Sequence, residues 1–195
     1  MSNNFKKITI FIASPSDIGI ERDKFEEVVA NLKLTADYFG VVLEVKSWRD
    51  VVPDMGRPQE IIFDQLELNS FDLFVGILWH RFGTPSGAID KEREKTYISG
   101  TEEEILSAYK LWKEYGKPRI IMYRCTRKVS PIEIDPEQLK NVNKFFEEFK
   151  AIKDDDTKGE HPGLYQSFET TGQFQRLWLT NLQGFLIEYQ KNKRK

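Results

Sequence analysis

The sequence predicts an open α/β fold, a doubly wound parallel sheet with helices on both faces, and three observations lead to it. Short β-branched and aromatic runs alternate with helix-spaced segments along the chain, a pattern that calls for right-handed crossovers between parallel strands. One run, Phe71-Asp-Leu-Phe-Val-Gly-Ile-Leu-Trp79, is apolar almost throughout, as a central strand covered on both faces must be. The length of 195 residues, without internal repeat or linker, fits one domain over 1–195. The smaller, flavodoxin-like strand order 2-1-3-4-5 suits about five strands in such a length.

Each element has its own signal. Ile8-Thr-Ile-Phe-Ile-Ala-Ser14 is a β-branched run ended by Ser14-Pro-Ser-Asp17, a turn and helix-cap combination. Ile18 to Phe39 then carries helical spacing, Val41 to Trp48 reads as a strand, and Arg49 to Arg57 as a loop with Pro53 and Gly56. Pro58 opens a helix to Asn69, proline being favoured in a first helical turn. After the central strand, His80 to Gly100 is a long polar, glycine-containing segment; loops of this length are usually functional or mobile, and here motion is expected to gate ligand entry. A helix from Glu102 to Tyr115, a strand from Arg119 to Arg124 and a charged helix from Pro136 to Lys153 follow. Asp154 to Gly163 reads as a mobile turn, Leu164 to Phe168 as a short strand and Thr171 to Gln190 as the closing helix. The basic end, Gln190-Lys-Asn-Lys-Arg-Lys195, is read as a solvated helix end or a disordered stub.

Composition narrows the function. With 29 basic and 31 acidic residues the net charge is −2, so there is no basic stripe of the kind nucleic acid needs. Cys125 is the only cysteine, which suits a reducing cytoplasm and gives no support to a thiol nucleophile. No stretch reaches the length of a membrane span, and the start lacks a signal-peptide pattern; a cytoplasmic protein without membrane or nucleic-acid partners is expected. His80 and His161 are the only histidines, without zinc-site spacing. No metal is expected, and the sequence has no phosphate-loop, nucleophile-elbow or kinase signature.

In open α/β sheets, ligands bind outside the carboxyl ends of the strands near the switch point. That directs attention to Ser14–Asp17, Arg49–Arg57, His80–Gly100 and the three glutamates Glu102, Glu103 and Glu104. A helix turns about 100° per residue, so positions three and four apart share a face. Glu103 then lines up with Ser107, Lys110 and Glu114 and is expected to face water. Glu104 heads the stripe Ala108, Leu111 and Tyr115 and is expected to face the crevice, while Glu102, over Ile105, Tyr109 and Trp112, is intermediate. An acidic first turn also offsets the helix dipole, and Thr101 with Glu104 matches a capping box. A carboxylate at this edge can alternatively stabilise an oxocarbenium-like transition state. Trp79 and Phe82 offer faces for stacking on a base, or are core and loop anchors. Arg81 offers a fork for a phosphate or for a nearby glutamate. Ser14, Ser16 and Asp17, where a helix opens, suit an anion or a plain cap.

Three blocks together carry a resemblance. Ile12-Ala-Ser-Pro-Ser-Asp17, Asp72-Leu-Phe-Val-Gly-Ile-Leu-Trp-His-Arg-Phe-Gly-Thr-Pro-Ser-Gly87 and Ser99-Gly-Thr-Glu-Glu-Glu-Ile105 resemble a TIR-like domain family, most strongly over residues 6–125. Ser99 to Ala108 is also similar to the Gly-Thr-x-x-Glu-x-x-x-Ala pattern of nucleoside deoxyribosyltransferases. The resemblance implies a flavodoxin-like sheet, 126–195 completing it and adding helices, and attack on a glycosidic bond of a nucleotide. The family carboxylate falls on Glu104. The expected activity is cleavage of the nicotinamide–ribose bond of NAD, a substrate here and not a cofactor, by a glycohydrolase or cyclase in bacterial immune signalling. A non-catalytic TIR-like module that senses a nucleotide or self-assembles through the Arg49–Arg57 loop is the alternative. Deoxyribosyl transfer ranks third, because Ile98 and Leu106 depart from that family's pattern; Gly100 and Thr101 stand where many TIR enzymes have Trp-Cys.

Overall fold

A computed structural model describes residues 5–67, 70–149 and 164–193. The strands β1 (Lys6–Ala13), β2 (Val41–Lys46) and β3 (Leu73–Leu78) form where the β-branched runs lie. Between β1 and β2 are α1 (Gly19–Asn31) and α2 (Lys33–Tyr38), and between β2 and β3 is α3 (Pro58–Leu66). A small hairpin, β4 (Ile89–Asp90) and β5 (Lys95–Thr96), precedes α4 (Gly100–Tyr115). The chain closes with β6 (Arg119–Cys125), α5 (Pro136–Glu148), β7 (Tyr165–Phe168) and α6 (Thr171–Lys193).

The main sheet has five parallel strands in the order β2-β1-β3-β6-β7. Leaving the hairpin aside, this is the expected 2-1-3-4-5 of a doubly wound α/β fold. The register sets Ile10 beside Val45 on one side and Leu73 on the other, and Val75 beside Ile121. Because successive strand residues point to opposite faces, the sheet divides its apolar residues into two layers. Ile8, Ile10, Ile12, Leu73, Val75 and Ile77 pack under α1, α2 and α6, with Trp178 fully buried among them. Phe11, Phe74, Leu78 and Met122 pack under α3, α4 and α5. Gly76 lies on this second face of β3, where a Cβ would collide with the Met122 thioether.

Several elements differ from expectation for local reasons. The helix expected over Ile18–Phe39 breaks at Leu32, whose N–H is shared between the carbonyls of Val28 and Val29 at 3.1 and 3.2 Å; the tightened turn tucks Leu32 into the core. The segment from His80 to Gly100 is not one featureless loop. The buried Asp90 carboxylate accepts from Glu92 N at 3.0 Å and from Lys110 Nζ at 2.9 Å, which fixes the hairpin turn onto α4. The Tyr97 N–H donates to Ala88 O at 3.0 Å, and Gly100 N–H to Thr84 O at 3.1 Å. The turn expected at Asp154–Gly163 and the end of the Pro136–Lys153 helix lie outside the described residues. No helix among the described residues is long and apolar enough to cross a membrane.

Candidate functional site

A cavity of about 570 Å³ opens at the carboxyl edge of the sheet, within the range typical of small-molecule sites. The loop after β1 contributes Ser14, Pro15 and Ser16, and the loop after β3 contributes Arg81, Gly83 and Thr84. Trp48 follows β2, while Gln59, Thr101 and Gln138 come from the first turns of α3, α4 and α5, and Glu104 from just beyond the first turn of α4. The cavity lies at the edge to which the switch-point rule directs attention, and three helix starts meet there.

The walls are braced from behind. Arg22, 2 % exposed, donates through Nη2 to Ser14 O at 3.1 Å, Ser14 Oγ at 2.6 Å and Pro15 O at 3.3 Å. The Gln138 amide grips the opposite loop: its Oε1 accepts from Phe82 N at 2.8 Å and Gly83 N at 3.2 Å, and its Nε2 donates to Gly83 O at 3.1 Å. Gly83 has φ +106°, in a region that favours glycine. At Gly100 a Cβ would displace the Gln59 amide, which rests against it.

The three glutamates are sorted by partners as much as by angle. Ser99 caps α4, its Oγ accepting from Glu102 N at 3.0 Å; the cap is thus Ser99, not the Thr101–Glu104 box. The Glu102 carboxylate accepts from Ile98 N at 2.6 Å and pairs with Arg93 at 3.2 Å. Glu103 does not face water. It is 4 % exposed and both its oxygens accept from Arg57 Nη1, at 2.8 Å to Oε1 and 2.7 Å to Oε2. The start of α3 and the preceding segment cover the first turn of α4 on all sides, which the polar stripe could not reveal. Glu104, 3 % exposed, does line the cavity, and it forms no hydrogen bond or ion pair among the described residues. Burial, reinforced by the neighbouring Glu103 charge and opposed by Arg22, pushes its carboxyl up to about 8. Its stripe leaves the protein further along: Ala108 is fully buried but Tyr115 is 65 % exposed.

The other expected site residues divide. Ser14, Ser16 and Arg81 line the cavity, and the Arg81 guanidinium pairs with none of the glutamates. Asp17 stands behind, its Oδ2 accepting from Arg81 N at 3.2 Å and lying 3.5 Å from His80 Nε2. Burial raises the Asp17 carboxyl, and His80 opposes the rise. Trp79 and Phe82 are outside the cavity. Trp79 donates from Nε1 to Arg127 O at 2.8 Å and carries the Arg127 guanidinium 4.2 Å from its ring centroid. Phe82, 1 % exposed, is core and packs edge-on to Phe145. The aromatic side chain that does line the cavity is Trp48, overlooked in the sequence although it ends a strand at this edge. Burial raises the Cys125 thiol to about 11, too high for a nucleophile at neutral pH. No group of three or more His, Cys, Asp or Glu side chains among the described residues is placed to hold a metal ion.

The family model described as a domain of unknown function (DUF4062) matches residues 9–183. No curated protein matches the chain.

Proposed function

From the premise that the chain belongs to the DUF4062 family, we propose that its sheet-edge cavity is the active site of a TIR-like glycohydrolase or cyclase. The substrate is NAD, and the bond broken joins nicotinamide to ribose. The observation that carries this reading is Glu104: of three adjacent glutamates, two pair with arginines, and the third is buried on the wall of the cavity, without a hydrogen-bond or ion-pair partner among the described residues.

The chemistry asks little else. Nicotinamide leaves as a neutral base from a pyridinium, so a general acid is unnecessary. What the site must supply is a fixed negative charge beside the ribosyl carbon as positive charge develops there, together with a hold on the rest of the nucleotide. Glu104 in its ionised form provides the charge, and Arg81, with no carboxylate partner among the described residues, provides a fork for a phosphate. Water or a second hydroxyl of the substrate then captures the ribosyl cation, giving a hydrolysed or cyclised product. The resemblance to TIR-like domains makes bacterial immune signalling in the cytoplasm the setting, with self-association through the Arg49–Arg57 loop. That loop shows Val52 and Met55 at 69 % and 95 % exposure, apolar surface available for a second copy.

The test is incubation with NAD over a range of protein concentrations, followed by chromatography. Free nicotinamide is expected, with a loss of roughly a hundred- to thousand-fold on Glu104→Gln, the range for removing one preorganised electrostatic contact. The melting temperature should not fall. An active preparation that keeps its rate after Glu104→Gln would remove Glu104 from the chemistry. Base exchange from a deoxynucleoside, without NAD cleavage, would favour deoxyribosyl transfer, and binding of NAD without cleavage at any concentration would favour a sensing module.

A further inference from the structure

We infer that Trp48 is the specificity-determining residue of this cavity, a platform on which the planar base of a nucleotide stacks; the inference rests on the reading of the site as a nucleotide pocket. Three observations converge. Trp48 is the one aromatic side chain among the lining residues, set in the same cavity as Glu104 and Arg81. It belongs to neither hydrophobic layer and leaves 46 % of its surface exposed, so packing of the fold does not account for an indole there. Its one ring contact among the described residues is with the Arg49 guanidinium, 5.7 Å from the centroid.

The turn beneath it is built to hold its place. Ser47, 5 % exposed, caps the turn: its N–H donates to Asp50 Oδ2 at 2.7 Å, and its Oγ accepts from Arg49 N at 3.2 Å. This reciprocal cap fixes the backbone on both sides of residue 48. The loop beyond it is tied down as well, since the Gln65 amide exchanges hydrogen bonds with Val52 N and O, both 2.9 Å. A large ring held in place at a cavity suits a ligand that is itself flat and apolar on its faces. Nucleobases meet that description. Their stacking on aromatic side chains tolerates any base because every base has a π-face. The ligand class is thus a nucleotide that sets its base on Trp48 and its phosphate on Arg81.

The experiment measures binding of AMP and of ribose 5-phosphate, which lacks the base, to the full chain and its Trp48→Ala and Trp48→Phe variants. AMP binding by calorimetry should weaken roughly 10- to 100-fold in Trp48→Ala and stay within a few-fold of the parent in Trp48→Phe. Ribose 5-phosphate should bind all three alike. Quenching of tryptophan fluorescence by AMP should largely vanish in Trp48→Phe although AMP still binds, a signature that a merely structural role would not give. The inference is overturned if AMP fails to bind the parent chain, if Trp48→Ala binds AMP as the parent does, or if it loses ribose 5-phosphate equally. Because AMP has no nicotinamide, the result is separate from NAD cleavage: base-dependent binding through Trp48 without nicotinamide release would sink the glycohydrolase and leave the platform standing.

Discussion

A buried carboxyl group without a donor is costly to ionise, and Glu104 shows the consequence in a raised value of about 8, set by burial and then by Glu103. The unfolded chain would hold the same group near 4.5. Between these values the folded state binds the proton and the unfolded state does not, so the contribution of Glu104 to stability is complete below about 4.5 and is lost as pH rises through about 8. We predict that Glu104→Gln, which cannot ionise, gains stability relative to the parent chain from pH 5 to 9, by an amount on the order of a few kcal/mol. Melting curves at several pH values check this; a constant difference would mean that Glu104 is ionised throughout. Activity should run the other way. If the charged form stabilises the ribosyl cation, kcat/KM for NAD rises with pH and levels off above about 8, reporting the free enzyme. The face of Glu104 was legible from helical spacing alone. The burial of Glu103 was not, because its partner Arg57 lies 46 residues away and no local pattern announces it. Phe82 and Trp48 traded places for a similar reason: a sequence locates an aromatic at a strand end but not the side of the loop on which its ring falls.

At the scale of elements, the Arg57–Glu103 pair joins the start of α3 to the first turn of α4, and so joins the Arg49–Arg57 loop to the site. Removing one member leaves a buried charge without its partner, the expensive case for an ion pair. Arg57→Gln should therefore cost about 2 to 4 kcal/mol, somewhat less than a fully enclosed pair because the arginine is partly exposed. It should also raise the pH midpoint of Glu104, since Glu103 would then repel it unscreened. Glu103→Gln should lower that midpoint, and the double variant should be more stable than Arg57→Gln alone. Carboxyl titration by NMR and denaturant unfolding read both effects. A midpoint that ignores Arg57 would mean that the loop and the site are uncoupled. The strands and their order were readable because continuous β-branched runs have no other stable use in a chain of this length. The β4–β5 hairpin was not, since two-residue strands carry no alternation, and what holds them is the tertiary contact of Asp90 with Lys110.

The whole molecule keeps the core under α6 apart from its site, with Arg22 of α1 the link between them through the Ser14–Pro15 wall. On one face, α6 returns from the end of the chain to cover α1: Trp178 stacks on Phe25 with ring centroids 4.6 Å apart, and its Nε1 donates to Phe25 O at 3.2 Å. At the carboxyl edge of that face, Glu21 Oε1 accepts from Arg127 Nη1 at 2.8 Å and from Thr171 Oγ1 at 3.0 Å, drawing three distant segments together. The cavity is lined from α3, α4 and α5 and from the loops after β1, β2 and β3, with no residue of α1, α2 or α6 on its wall. Trp178→Ala would empty a fully buried indole, and such truncations cost about 3 to 5 kcal/mol, a large fraction of the stability of an ordinary domain. The prediction is a steep fall in melting temperature with AMP affinity and the Glu104 midpoint unchanged, measured at a temperature where the variant is still folded. Additivity between distant sites is what licenses the expectation. If AMP binding instead falls in step with stability under those conditions, the two layers are coupled through the sheet, and α6 belongs to the working parts of the site as well as to its support.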